Sequence, residues 1–163
     1  MHKHLMYNLE EYVLIWKGFW TPQDCLNNPK YLFVFGDNLM RIGNGGQAII
    51  RGLPNTIGIA TKKAPGVKDE DYFNDSVISS NTEILKQEFR IIHSVFSYYY
   101  NKSDFTNIVL SENGYGHGLS QMDKRCPETY HIFNTLLDTY FKFDNLKAKE
   151  LSYGTKNISN SSE

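Results

Sequence analysis

Phe33-Val-Phe-Gly-Asp-Asn-Leu-Met-Arg-Ile-Gly-Asn-Gly-Gly-Gln-Ala48 runs from an apolar, β-type stretch into a glycine-rich loop and then into a helix-like pattern. A second segment, Ile108-Val-Leu-Ser-Glu-Asn-Gly-Tyr-Gly-His-Gly-Leu119, repeats that order. Glycine lets the main chain reach φ > 0 and lets a ligand approach it closely. Amides at the start of the following helix face the loop, and the helix dipole there favours an anion. Two such loops in one chain predict a phosphate-bearing ligand held from both sides. A pair of tight strand-to-helix turns is the plainer reading of the same residues.

Working outward, Tyr12 to Trp16 reads as a strand, and Thr21-Pro22 as a helix start with Thr as N-cap and Pro at the first helical position. Leu32 to Phe35 is the next strand. A short helix fits Gly45 to Gly52, and a buried strand fits Thr56 to Ala60. The stretch from Lys62 to Ser80 is polar and irregular, with Asp69, Glu70, Asp71 and Asp75, and its length predicts a mobile lid over Lys68 to Asp75. Asn81 to Tyr100 carries Ile84, Leu85, Ile91, Ile92, Val95 and Phe96 at helical spacing, interrupted by polar Glu88. Asn107 to Leu110 is a strand, and Glu128 to Phe143 a second long helix. The alternation predicts a three-layer α/β fold with helices on both faces of a sheet. Both glycine loops then lie at carboxyl ends of strands, where such folds bind ligands. Residues 1–151 form one ligand-binding domain, and the Ser/Asn-rich residues 152–163 a disordered tail.

The 163-residue length suits a single domain with a real core. With 17 basic and 18 acidic residues, the formal charge is −1. That balance disfavours non-specific grip on nucleic acid, but not recognition of one nucleotide or one terminus. Cys25 and Cys126 stand about a hundred residues apart, which is neither a disulfide framework nor a zinc spacing, so no metal is expected. The N-terminus has no long apolar run, and no stretch approaches the roughly 18 residues that span a bilayer. These features point to reduced thiols and a cytoplasmic protein without a membrane partner. The Asn-x-Ser triplets at Asn74, Asn101, Asn157 and Asn160 read as chance matches.

Gly43-Asn44-Gly45-Gly46-Gln47 fits neither the dinucleotide fingerprint nor the P-loop. Asp37 and Asn38, directly after strand Phe33–Phe35 and Gly36, either accept from a ligand or close an Asx-turn. His117 lies between glycines, as a base in a binding loop or as an exposed histidine. Lys62-Lys63 ends a strand and faces either a phosphate or solvent. His93 reads as structural or solvated, and His2 and His4 as parts of a frayed end. Tyr98-Tyr99-Tyr100 reads as helix packing.

Three segments together resemble a macrodomain. The likeness is greatest to the branch with the terminal ADP-ribose protein glycohydrolase and the antitoxins that remove ADP-ribose from DNA. Gly43-Asn-Gly-Gly-Gln-Ala48 looks like the first ligand loop. Ile59-Ala-Thr-Lys-Lys-Ala64, with Tyr72-Phe-Asn74, resembles that branch's Thr-Lys-Lys segment. Leu110 to Leu119 resembles the second ligand loop. The chain is also similar to uncharacterised macro-like proteins of bacteriophages. The resemblance implies a three-layer α/β/α fold with a mixed sheet, no cofactor, and ADP-ribose or an NAD-derived relative as ligand. It implies Asp37 or Asn38 near the adenine side and Gly43, Gly45, Gly46 and Gln47 near the distal ribose and diphosphate, with Gly36 and Asn44 as further ligand-binding residues. Gly114, Tyr115, Gly116, His117, Gly118 and Leu119 would wrap the phosphates, with Asn113 as a further ligand-binding residue. It further implies an alternative activity, removal of ADP-ribose from protein or nucleic acid, with Lys62 or Lys63 as nucleophile. The branch's catalytic aspartate is replaced by Ser120, which leaves Asp123 or His117 as substitutes and makes binding the better supported expectation.

Overall fold

In the computed structural model, which describes residues 8–149, Leu32, Phe33, Val34 and Phe35 are all buried. A strand buries consecutive side chains only when both faces of its sheet are covered, as in a parallel sheet. The run belongs to β2 (Tyr31–Asn38), the inner partner of β3 (Thr56–Lys62) and β4 (Asn107–Ser111), while β1 (Val13–Trp16) flanks β4. The order is β1-β4-β2-β3, and every pairing is parallel. The expected α/β class therefore holds, but the sheet is parallel rather than mixed among the described residues. The reason is that each strand-to-strand connection crosses a face of the sheet, so no hairpin reverses direction.

Alternate residues sort the core into two layers. Leu32, Val34, Ile108 and Leu110 pack with Leu85, Phe89, Ile92, Phe133 and Leu137. These come from α2 (Ile78–Asn101) and α4 (Pro127–Phe141). Phe89 stacks on Tyr140 at 5.5 Å and meets Phe133 at 5.4 Å. Truncating such a ring to alanine costs about 3–5 kcal/mol. On the other face, Phe33, Phe35 and Val109 pack with Trp20, Cys25, Ala48 and Ile50. That layer is thinner, built from α1 (Pro22–Asn27) and a 3-10 turn over Gly46–Ile50. Thr21 starts α1 through a reciprocal capping box with Asp24, as its sequence predicts.

Two expectations change. The segment from Lys68 to Asp75 is anchored rather than free. The Asp71 carbonyl accepts from the Lys63 and Ala64 amides at 3.0 and 3.1 Å, and Tyr72 and Phe73 are buried. Asp75 accepts from the Glu128 and Thr129 amides and so caps α4 from a distance. Asp71 and Asp75 serve a turn and a cap, while Lys68, Asp69 and Glu70 are exposed. The second long helix ends at Phe141, where Lys142 turns left-handed (φ 53), and residues 143–149 are helical again. The tail expected at 152–163 and His2 and His4 lie outside the described residues. No helix is long and apolar enough to cross a membrane among the described residues.

Candidate functional site

The chain leaving β2 passes over the Phe33 face through Ala48 and Ile50. The chain leaving β4 passes over the opposite face through α3 (Met122–Arg125) and α4. The two connections part between neighbouring strands, and such a switch point leaves a crevice at the carboxyl ends. Ladder pairing between β2 and β4 reaches only Phe33 and Val109, although both strands run further. Both glycine loops open into this gap.

Gln47 and Tyr115 fill its floor. Gln47 accepts from the Gly36 amide at 2.8 Å through Oε1 and donates through Nε2 to the Gly114 carbonyl at 2.9 Å. The Tyr115 hydroxyl donates to the Val34 carbonyl at 2.7 Å and accepts from the Ser111 amide at 3.1 Å. Burial drives the Tyr115 phenol far above its ordinary value, so it stays a neutral strut.

The first loop is held by its own side chains. Asn38 accepts from the Met40 amide at 3.0 Å and donates to the Ile42 carbonyl at 2.8 Å. Arg51 Nε donates to the Gly43 carbonyl at 2.6 Å. The buried Asp37 carboxylate is taken by Arg51, by the Asn38 amide and more distantly by Arg41. Asn38 thus forms the Asx-turn of the plainer reading, and Asp37 is paired inside the protein. Gly45 is extended (φ −80, ψ 147), so its backbone suits any residue. A Cβ there would stand 3.2 Å from Leu119 Cδ1 of the second loop, so glycine at this position keeps space open.

In the second loop, Gly114, Gly116 and Gly118 all have positive φ. Gly116 (φ +90) has a second reason to be glycine, because a Cβ would lie 2.8 Å from the Tyr130 ring. His117 is exposed and its Nε2 contacts the Asn113 carbonyl of the same loop. Among the described residues, the amides of Gly45, Gly46, Gly116 and Gly118 donate to no protein acceptor. Asn44, exposed, completes the rim.

Lys62 and Lys63 part company. Lys62 is 8% exposed, its ammonium 4.5 Å above the Tyr72 ring and donating to the Gly66 carbonyl. Burial lowers its pKa, opposed by Asp71 and assisted by Arg125. Arg125 sits 3.7 Å from the same ring and pairs with Asp69 at 3.0 Å. Lys63 is only half-buried. Ser120 is buried, with its hydroxyl on the His117 carbonyl at 3.1 Å. Asp123 is exposed and pairs with neither lysine among the described residues. No hydrogen bond or ion pair joins Lys62, Lys63, Asp123 and His117 to one another among the described residues.

Sequence reading passed over several residues. Arg41, left-handed at φ 59, binds both oxygens of Glu88 at 2.7 and 2.6 Å. Glu88 in turn accepts from the Ala60 amide at the open edge of β3 at 2.7 Å. The polar break in the apolar stripe of α2 was the available signal. A cavity of about 380 Å³ lies along this edge, and its Arg41, Arg51, Asp37 and Glu88 neutralise one another. A second cavity, about 230 Å³, lies between Gly18, Phe19, Trp20, Gln47, Ile49 and Ser111. Its signal was Gly18, a glycine two residues after a strand. Trp20 Nε1 ties this third loop to the Gln47 carbonyl at 2.9 Å.

A parallel α/β protein with glycine loops at its switch point is the class these features define. Residues 15–136 match the family of unknown function DUF7831, and the chain belongs to it. No curated protein and no solved structure matches the chain.

Proposed function

We propose that the chain binds ADP-ribose, or a nucleotide derived from it, between the two glycine loops. The observation that carries this reading is that the amides of Gly45, Gly46, Gly116 and Gly118, on the two loops that Gln47 joins at the carboxyl edge of the sheet, donate to no protein acceptor among the described residues. Main-chain amides left free in turns with positive-φ residues, as at Gly46, Gly116 and Gly118, suit phosphate oxygens. The macrodomain resemblance supplies the identity of the nucleotide. Such binding would sequester an NAD-derived signal, or hold an ADP-ribosylated protein or nucleic acid by its modification.

One observation favours a second reading, ADP-ribosyl hydrolysis. Lys62 is a buried amine with a lowered pKa at the carboxyl end of β3. It lacks a carboxylate partner to open a ribose, since Ser120 stands where the branch carries aspartate. Binding is the reading we adopt. Titration calorimetry with ADP-ribose tests it, and the absence of any binding heat at millimolar ligand would refute it.

A further inference from the structure

Phe19 is 89% exposed, while its neighbour Trp20 is buried. Gly18 (φ +76) turns the chain out of β1, and its amide is fixed by the Glu112 carboxylate at 2.7 Å. Phe19 and half-exposed Ile49 both line the 230 Å³ cavity. Gly46, the first residue of the turn after the glycine loop, opens into the same space. A planar group in this slot would therefore be continuous with a diphosphate on the loop amides.

The polar side chains around the slot are already engaged, apart from the Ser111 hydroxyl proton. Trp20 Nε1 donates to the Gln47 carbonyl, both ends of the Gln47 amide are bonded, and Ser111 Oγ accepts from the Asn113 amide at 3.2 Å. Asp37, which could read an exocyclic amine, is held by Arg51. What remains is an aromatic residue and apolar sides, with the Gly46 amide towards the loop and, among the described residues, the Ser111 hydroxyl proton as the one free side-chain donor of the lining. Aromatic faces stack on any base, with about 1–3 kcal/mol per base and little preference.

We infer that this slot takes the nucleobase of the ligand, stacked on Phe19, and that it accepts purine and pyrimidine alike. The inference rests on the binding reading above. The ligand class is then nucleoside diphosphate sugars at large, with the diphosphate, not the base edge, as the recognised element.

Calorimetry on the full chain tests it with ADP-ribose, UDP-glucose and base-free ribose 5-phosphate. ADP-ribose and UDP-glucose should bind within about tenfold of each other, as expected where stacking alone holds the base. Phe19→Ala should weaken both about tenfold or more and leave ribose 5-phosphate unchanged, and Phe19→Trp should restore both. Because Phe19 is exposed, the alanine variant keeps its fold, which circular dichroism verifies. Wild-type affinity for ADP-ribose in Phe19→Ala overturns the slot while leaving the binding reading intact. A preference for ADP-ribose of a hundredfold or more overturns the face-only recognition. No binding of any nucleotide by the wild type overturns both.

Discussion

Gln47, on the turn after the first glycine loop, donates to the Gly114 carbonyl of the second loop at 2.9 Å, across the gap between β2 and β4. The same side chain accepts from Gly36 at the end of β2. One amide therefore fixes the spacing of two loops that lie far apart in sequence. Gln47→Ala leaves a main-chain donor and acceptor unpaired at roughly 1–3 kcal/mol. Thermal denaturation should register that loss, and ADP-ribose affinity should fall further than for a surface variant such as Gln87→Ala. Unaltered stability and affinity would mean that the bridge is incidental.

Gly45→Glu and Gly45→Ala separate space from charge. The backbone at Gly45 is extended, so neither variant strains it. Alanine asks only that the Leu119 tip, 3.2 Å from the new Cβ, give way by a few tenths of an ångström. Gly45→Ala should fold normally and bind somewhat more weakly. Gly45→Glu should fold as well but lose ADP-ribose, because its carboxylate enters the region meant for a diphosphate. Equal calorimetric affinities for Gly45→Glu and wild type would remove the first loop from the site.

Glu88 joins α2 to the open edge of β3, and its variants should differ in a telling order. Glu88→Ala leaves the Ala60 amide without an acceptor and Arg41 without its bidentate partner. The Arg41 side chain is 41% exposed and can turn to water, so the cost comes mainly from the amide, about 1–3 kcal/mol. Glu88→Gln retains an acceptor and should lose less. Urea midpoints for the two variants check the order, and a Gln variant as unstable as the Ala variant would shift the weight to the ion pair.

Much of this architecture is legible in the residue pattern, and the misses have identifiable causes. Leu32 to Phe35 and Ile108 to Leu110 announce buried strands because parallel strands show no polar alternation. Thr21-Pro22 announces α1 because its capping is local. Asp75 could not be read the same way, since the helix it caps begins more than fifty residues later. The acidic run around it looks like solvated loop in sequence, yet Asp71 closes a turn and Asp75 caps a helix, while Asp69 and Glu70 stay exposed. At the site, the glycines mark where loops must bend, but pairing is a tertiary fact. Nothing local says that Asp37 spends its charge on Arg51, or that Gln47 reaches Gly114. Phe19 escaped notice because an aromatic residue after a strand reads as core until its exposure is known.

Asp75 should make stability depend on acid. Burial alone would raise its pKa, but hydrogen bonds from the Thr129 hydroxyl and amide and the Glu128 amide outweigh that and hold it below the ordinary aspartate range. A carboxyl with a lowered native pKa stabilises the fold fully above its unfolded value near 4, and loses that contribution as pH falls through the native value. Asp75→Ala should cost about 0.5–2 kcal/mol at pH 7, as for a lost helix cap. The gap between wild type and variant should narrow below about pH 4. A gap in urea denaturation that stays constant down to pH 2.5 would contradict this origin.

Lys62 decides between binding and turnover. Attack on the anomeric carbon of a ribose needs a neutral amine and ends in a Schiff base. Burial favours the neutral form of Lys62, and Arg125 adds to it, while Asp71 pulls the other way. The amine is nonetheless committed, donating to the Gly66 carbonyl and resting on the Tyr72 ring. The reaction also needs a carboxylate to open the ribose. Ser120 offers only a hydroxyl bonded to the His117 carbonyl, and Asp123 is exposed and paired with neither Lys62 nor Lys63 among the described residues. Incubation with ADP-ribosylated protein or DNA should therefore leave the modification in place. Borohydride added during incubation should leave both lysines unmodified by mass spectrometry. A ribosyl adduct on either lysine, lost in its alanine variant, would establish the hydrolase instead and make Asp123→Asn the next variant to assay.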